Sequence, residues 1–190
     1  SFAVGTFATL LSLLFGSLLA STAARTTSQT MRATITLASL AFLLMPPAVI
    51  ATGWFVTIAP HGDVARLAPL LVVLLNALVA LPFVRAILEP GIAQSFARHD
   101  RLSESLGLTG WARLKLIELP VLRKPLALAA IMAFVMSLGD LAAITLFGNA
   151  DFVTLPALIY RQMGHYQMTE AGGTALLLAA LCFLLTFIIK

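Results

Sequence analysis

Long uncharged stretches alternate with short charged clusters along this chain. Phe2–Ala20 is 19 residues without a charge, Ala33–Pro60 is 28, and Leu67–Val84 is 18. Pro125–Gly139 is 15; a single Asp140 follows, and Leu141–Ala150 continues uncharged. Ala171–Ile189 is a further 19. A membrane-crossing helix needs about 20 mostly apolar residues, so the pattern predicts an all-α, polytopic membrane protein with about five spans. Pro46–Pro47 falls in the middle of the second run and Leu81–Pro82 near the end of the third. Proline lacks a backbone donor and clashes with the preceding turn, so the helix is expected to bend or break at both places. Such prolines are either ordinary features of membrane helices or kinks that shape a pathway.

The segment Arg85–Lys124 breaks the apolar rhythm and reads as a long charged loop. It is not a disordered linker. Leu108, Trp111, Leu114 and Ile117 recur every third residue and share one helical face, whereas Arg113 and Lys115 fall elsewhere. Leu102 and Leu106 form a similar pair just before them. Gly107, between the two short helices, suits the left-handed residue that closes a helix. Thr109 is a plausible N-cap, and Pro120 fits the first turn of the next element. The expected order is helix, glycine turn, helix, then a span that starts at proline.

Composition removes whole classes of function. Of 190 residues, 60% are apolar and 11% charged, against roughly 45–50% and about 25% in soluble domains. A single soluble domain and intrinsic disorder are both excluded. The net charge of +4 would point to nucleic acid in a soluble protein; here it points to Lys and Arg kept on the cytoplasmic side of a membrane. Ten of the 12 Lys and Arg fall in the first loop, the third loop and the C-terminus, and two fall on the opposite side. The start of the chain is therefore expected outside the cytoplasm and its end inside, as five spans require. The first run lacks a basic leader and is too long for a cleaved signal peptide. Because the chain opens in an apolar run and stops at Lys190 directly after Ile188–Ile189, a piece of a longer polypeptide is expected. Cys182 has no second cysteine to pair with.

A pair of short amphipathic helices on the cytoplasmic face either lies on lipid or docks a partner. The spacing favours docking. Gly107, nine residues, then Ile117-x-Leu119-Pro120 resembles the second part of the EAA motif, G-x9-I-x-L-P, of ABC importer permeases. The Glu-Ala-Ala part is replaced by Arg101, Leu102 and Ser103, a departure from the family pattern. Ser137-Leu138-Gly139-Asp140, Leu146-Phe147-Gly148-Asn149, Asp151-Phe152, Thr154-Leu155-Pro156 and Tyr160 are similar to the permease subgroup for thiamine, ferric iron and related solutes. Arg123-Lys124-Pro125-Leu126-Ala127, Gly164-x-Tyr166, and Met45-Pro46 followed by Ala51-Thr52-Gly53 are most similar to the C-terminal half of fused permeases for thiamine and thiamine pyrophosphate.

The resemblance implies one transmembrane domain over residues 1–190, with a coupling loop at about 97–120 that fits a groove of a cytoplasmic ATP-binding subunit. Within that loop it points to Gly107, Trp111, Leu114, Ile117, Leu119 and Pro120. It further implies a periplasmic solute-binding protein, a second permease half, fused or separate, lipid contact and a bacterial inner-membrane location. No catalytic residue, cofactor, metal or nucleic acid is implied. The alternatives are a permease for ferric iron or another small solute of the subgroup, an ion-coupled secondary transporter or channel fragment, and a structural membrane subunit. Secondary transporters want several intramembrane charges and paired broken helices.

Asp140 is the acid inside an apolar stretch, which is costly and usually faces protein or a water-filled cavity. It either bonds a neighbouring helix or forms a cavity wall that favours a cation, the sign thiamine carries. Asn76, in the third run, is either helix glue or pathway lining. Trp54, Phe55, Tyr160 and Tyr166 fall near outer boundaries and read as interfacial anchors. His61, His99 and His165 are scattered over three loops and form no single metal site. The chain has no G-x4-G-K-[ST] phosphate loop, no H-E-x-x-H and no G-x-S-x-G, so ATP binding and two kinds of membrane hydrolase have no support.

Overall fold

The computed structural model describes residues 1–105, 118–148 and 152–187, with the side chains of 96–105 excepted. Eight helices occur among the described residues: α1 (Phe2–Arg25), α2 (Gln29–Leu44), α3 (Pro47–Ile58), α4 (Val64–Ser105), α5 (Leu119–Gly139), α6 (Ala142–Phe147), α7 (Leu155–Gly164) and α8 (Met168–Phe187). The expected all-α polytopic class is what the described residues form. Four helices are long and apolar enough to cross a membrane: α1, α4 over Val64–Ser95, α5 and α8; the bent pair α2–α3 makes up to five.

Helices α1, α4 and α5 pack against one another and carry most of the interior. Their contacts fix relative direction. Gly16 of α1 lies against Val84 of α4; Val4 shares one buried cluster with Leu71 and Val72, and Ala20 shares another with Val84 and Leu88. Rising positions on α1 meet rising positions on α4, so the two run parallel. Helix α5 runs opposite to α4: Gly91 meets Leu122 and Pro125, and Asn76 meets Ser137.

Two parallel helices that both cross the membrane require the chain between them to return. That return is α2–α3. The helix α2 ends at Leu44 because Met45 precedes a proline, and Pro46 precedes another; both are pushed to extended backbone, with ψ of 123° and 132°. Pro47 then starts α3, where its missing N–H is harmless. The two helices meet at 87°. At 1.5 Å per residue α2 spans about 24 Å and α3 about 18 Å, so neither alone reaches across a roughly 30 Å core.

At Leu81–Pro82 the expected break is corrected: α4 continues through Pro69, Pro82 and Pro90 as one helix. Pro82 is buried, and α1 and α5 pack along α4. The expected start of the third loop is corrected too. Arg85 lies inside α4, which runs on to Ser105, rather than opening a loop. The fourth apolar run is also not one helix. It ends at Gly139, and Asp140 takes an extended conformation before the short α6.

Small residues decide how closely the central helices approach. Ala8, Ser12, Gly16, Ala20 and Ala23 are buried along one side of α1, while Phe7, Leu10, Leu14, Phe15 and Leu18 are exposed on the other. Apolar side chains gain nothing by leaving lipid, so membrane helices associate through close backbone approach. Large residues are left for the lipid side.

Candidate coupling face and solute pathway

The start of α5 carries the end of the G-x9-I-x-L-P spacing. Leu119 and Pro120 are its first two residues, with Pro120 in the first turn as expected. Leu119 is 51% exposed and Pro120 is exposed. Gly107, Trp111, Leu114 and Ile117 lie outside the described residues. Glu118, between Ile117 and Leu119, is buried and forms an ion pair with Arg25 at 3.3 Å.

A second ionic group ties α2 to α4 at the same end of the bundle. Glu89 pairs with Arg32 at 3.0 Å and with Arg85 at 2.8 Å. The Arg85 side chain is only 7% exposed. Its Nη2 also donates to Thr36 Oγ1 at 2.7 Å, and its Nη1 to the Ile35 carbonyl at 3.4 Å. A buried guanidinium is tolerable only when paired and hydrogen-bonded. Reading Arg85 as a loop residue hid this cluster. The signal that reveals it is the Arg85–Glu89 spacing of four, which places opposite charges on one helical face.

The other end holds the two candidate pathway residues. Asn76, buried on α4, donates from Nδ2 to Ser137 Oγ at 2.8 Å and to the Ser137 carbonyl at 3.3 Å. It ties α4 to α5 just before α5 ends. Three residues on, the Asp140 carboxylate accepts the Ala142 N–H at 3.1 Å and the Ala143 N–H at 3.3 Å. Both bonds go to the first turn of α6, whose amides have no partners of their own there. Asp140 therefore stands at a helix break, not within a helix, and caps the next element. A cleft of about 630 Å³ opens along α6 and α7, lined by Ile144, Thr145, Phe152, Ala157, Tyr160 and Arg161 among others.

Of the four aromatics expected at the outer boundary, Tyr160 and Tyr166 are largely exposed. Trp54 packs against the cluster around Leu71 and Phe147. Phe55 sits 6.4 Å from Phe147, centroid to centroid.

Residues 12–190 match the family described as "Binding-protein-dependent transport system inner membrane component". The chain belongs to that family. Its helices and its family make it a transport subunit of a multi-pass inner-membrane permease. It is 43% identical over 146 residues to the "Thiamine transport system permease protein ThiP" of Brucella abortus (strain 2308), covering 77% of this chain and 27% of that one. The protein of the same name from Escherichia coli (strain K12) is 41% identical over 154 residues, covering 81% and 29%. A "Putative 2-aminoethylphosphonate transport system permease protein PhnV" of Salmonella paratyphi A is 26% identical over 95 residues, covering 50% and 36%. The chain thus spans between a quarter and a third of the length of the thiamine permeases it matches.

Proposed function

We propose that this permease segment forms part of the transmembrane pathway of an ATP-driven importer for thiamine or thiamine pyrophosphate. The observation that carries the solute is the 43% identity to a protein named as a thiamine transport permease, across 77% of this chain. The G-x9-I-x-L-P spacing from Gly107 to Pro120 supports an ATP-driven mechanism. In this reading residues 1–190 are one transmembrane domain, the C-terminal half of a fused permease. The loop at about 97–120 docks a separate ATP-binding subunit, and Gly107, Trp111, Leu114, Ile117, Leu119 and Pro120 form the coupling element. A periplasmic binding protein delivers solute from the opposite side.

The orientation rests on charge. Arg25, Arg32, Arg85, Glu89 and Glu118 meet at one end of the bundle, and the first and third loops, which adjoin that end, together with the C-terminus hold ten of the 12 Lys and Arg in the sequence. The positive-inside rule makes that end cytoplasmic, so the chain enters from the periplasmic side. The end with Asn76 and Asp140 then faces the periplasm, where solute arrives. Asp140 supplies negative charge along a cation's route, and Asn76 holds the helix that ends beside it.

ATP hydrolysis moves the coupling loop. Helix α5 starts two residues after Ile117 and packs on α1 and α4, so the movement passes into rigid helices. The test is uptake of radiolabelled thiamine into vesicles that hold the assembled transporter. Uptake should need ATP on the coupling-loop side and should be competed by thiamine pyrophosphate. Competition by ferric iron or 2-aminoethylphosphonate, with none by thiamine, would replace the solute; uptake driven by an ion gradient without ATP would replace the mechanism.

A further inference from the structure

Glu118 fills the variable position of Ile117-x-Leu119-Pro120, yet its side chain is only 8% exposed. Its Oε1 accepts from Arg25 Nη2 at 3.3 Å, across 93 residues of sequence. Arg25 is the last residue of α1, and Glu118 directly precedes α5. A helix carries partial negative charge at its C-terminus and partial positive charge at its N-terminus. Arg25 is thus favoured by its own helix and Glu118 by the one it opens, in addition to their mutual attraction. Both border a cleft of about 520 Å³ with Leu18, Ser21, Thr22 and Thr26, so the joint sits at an open edge of the bundle.

We propose that Arg25–Glu118 is the joint that delivers coupling-loop movement to α1, which makes both residues positioning residues of the transport step. The inference rests on the importer reading. Movement that entered through Leu119 and Pro120 reaches α5 first and α1 only through side-chain packing. The ion pair ties the end of α1 directly to the start of α5. Helix α1 then carries the displacement along its small-residue face on α4, up to Gly5, which packs against Phe134 near the far end of α5. Loop movement at one membrane face thereby reaches the other face through two helices at once.

The test compares wild type, Arg25→Gln, Glu118→Gln and the double variant as assembled transporters in vesicles. It reads ATP-binding-subunit pull-down, ATP hydrolysis and solute taken up per ATP. Each single change should lower solute per ATP by a factor of about 2–5, the range expected for losing a dipole-assisted pair whose arginine side chain is 56% exposed. The double variant should be no worse than the worse single one, because removing both charges leaves neither buried alone. A purely structural pair would lower the amount of assembled protein and leave solute per ATP unchanged; that result, or single losses that multiply in the double variant, overturns the joint. Failure of the wild-type chain to hold an ATP-binding subunit would instead overturn the importer reading beneath it.

Discussion

Gly16 is where the packing of α1 on α4 can be measured. A Cβ at Gly16 would lie 2.6 Å from Val84 Cγ1, 3.0 Å from Val84 Cβ and 3.6 Å from the Arg85 backbone nitrogen. Valine in a helix has one strongly preferred rotamer, so its methyl cannot swing away. In Gly16→Ala the helices must therefore part by about 1 Å to restore ordinary carbon contacts near 3.5–4.0 Å. Overpacking of this kind costs about 1–3 kcal/mol. Alanine returns about 1 kcal/mol of helix propensity, for a net loss of about 0–2 kcal/mol. Gly53 is the control, since a Cβ there meets nothing within 4 Å and Gly53→Ala keeps the propensity gain. The assay is thermal unfolding of the purified protein in detergent. At about 2–4 °C per kcal/mol for a chain of this size, the overpacking cost alone separates the two variants, and Gly16→Ala should melt roughly 2–12 °C below Gly53→Ala. Adding Val84→Ala removes the 2.6 Å contact and leaves those at 3.0 Å and 3.6 Å, so it should recover most of the gap despite its own lost methyls. Equal melting of the two glycine variants, or no recovery in Gly16→Ala/Val84→Ala, would refute the close parallel packing from which the return path of α2–α3 follows.

Three further outcomes are expected. A cysteine at Ser103, in a Cys182→Ser background, should react with an impermeant thiol reagent only from the cytoplasmic side; labelling of intact cells from outside ends the assigned orientation. Asp140→Asn should lower uptake of a cationic solute while insertion and melting change little, because the remaining carbonyl oxygen still caps α6; full uptake with Asn leaves Asp140 a capping residue alone. Gly107→Val and Trp111→Ala should each reduce pull-down of the ATP-binding subunit and solute-stimulated hydrolysis without reducing insertion, since valine is strained at positive φ; intact association in both removes the coupling-loop assignment.

Helix type, the count of up to five spans and the break at Pro46–Pro47 were legible from the amino acids because they follow from local causes. Uncharged runs of membrane length must pair their own backbone groups in lipid, and helices do so within one segment. A residue before proline is biased away from the helical region, and at Met45–Pro46–Pro47 two successive residues carry that bias. The family resemblance came from residues close in sequence, Gly107 to Pro120 and Ser137 to Tyr160. Tertiary packing decided the rest. Pro82 is a single proline where Pro46–Pro47 is a pair, and α4 stays whole there with neighbours packed along it on two sides. Arg85 looks like the first loop charge until Thr36, Ile35 and Glu89 are brought around it from other turns and another helix. Asp140 looks like a charge inside a span until the chain stops at Gly139 and its carboxylate meets the amides of α6. The Arg25–Glu118 pair lies 93 residues apart, and no periodicity reports such a distance. It exists because small residues let α1, α4 and α5 come close enough to set the end of one helix against the start of another.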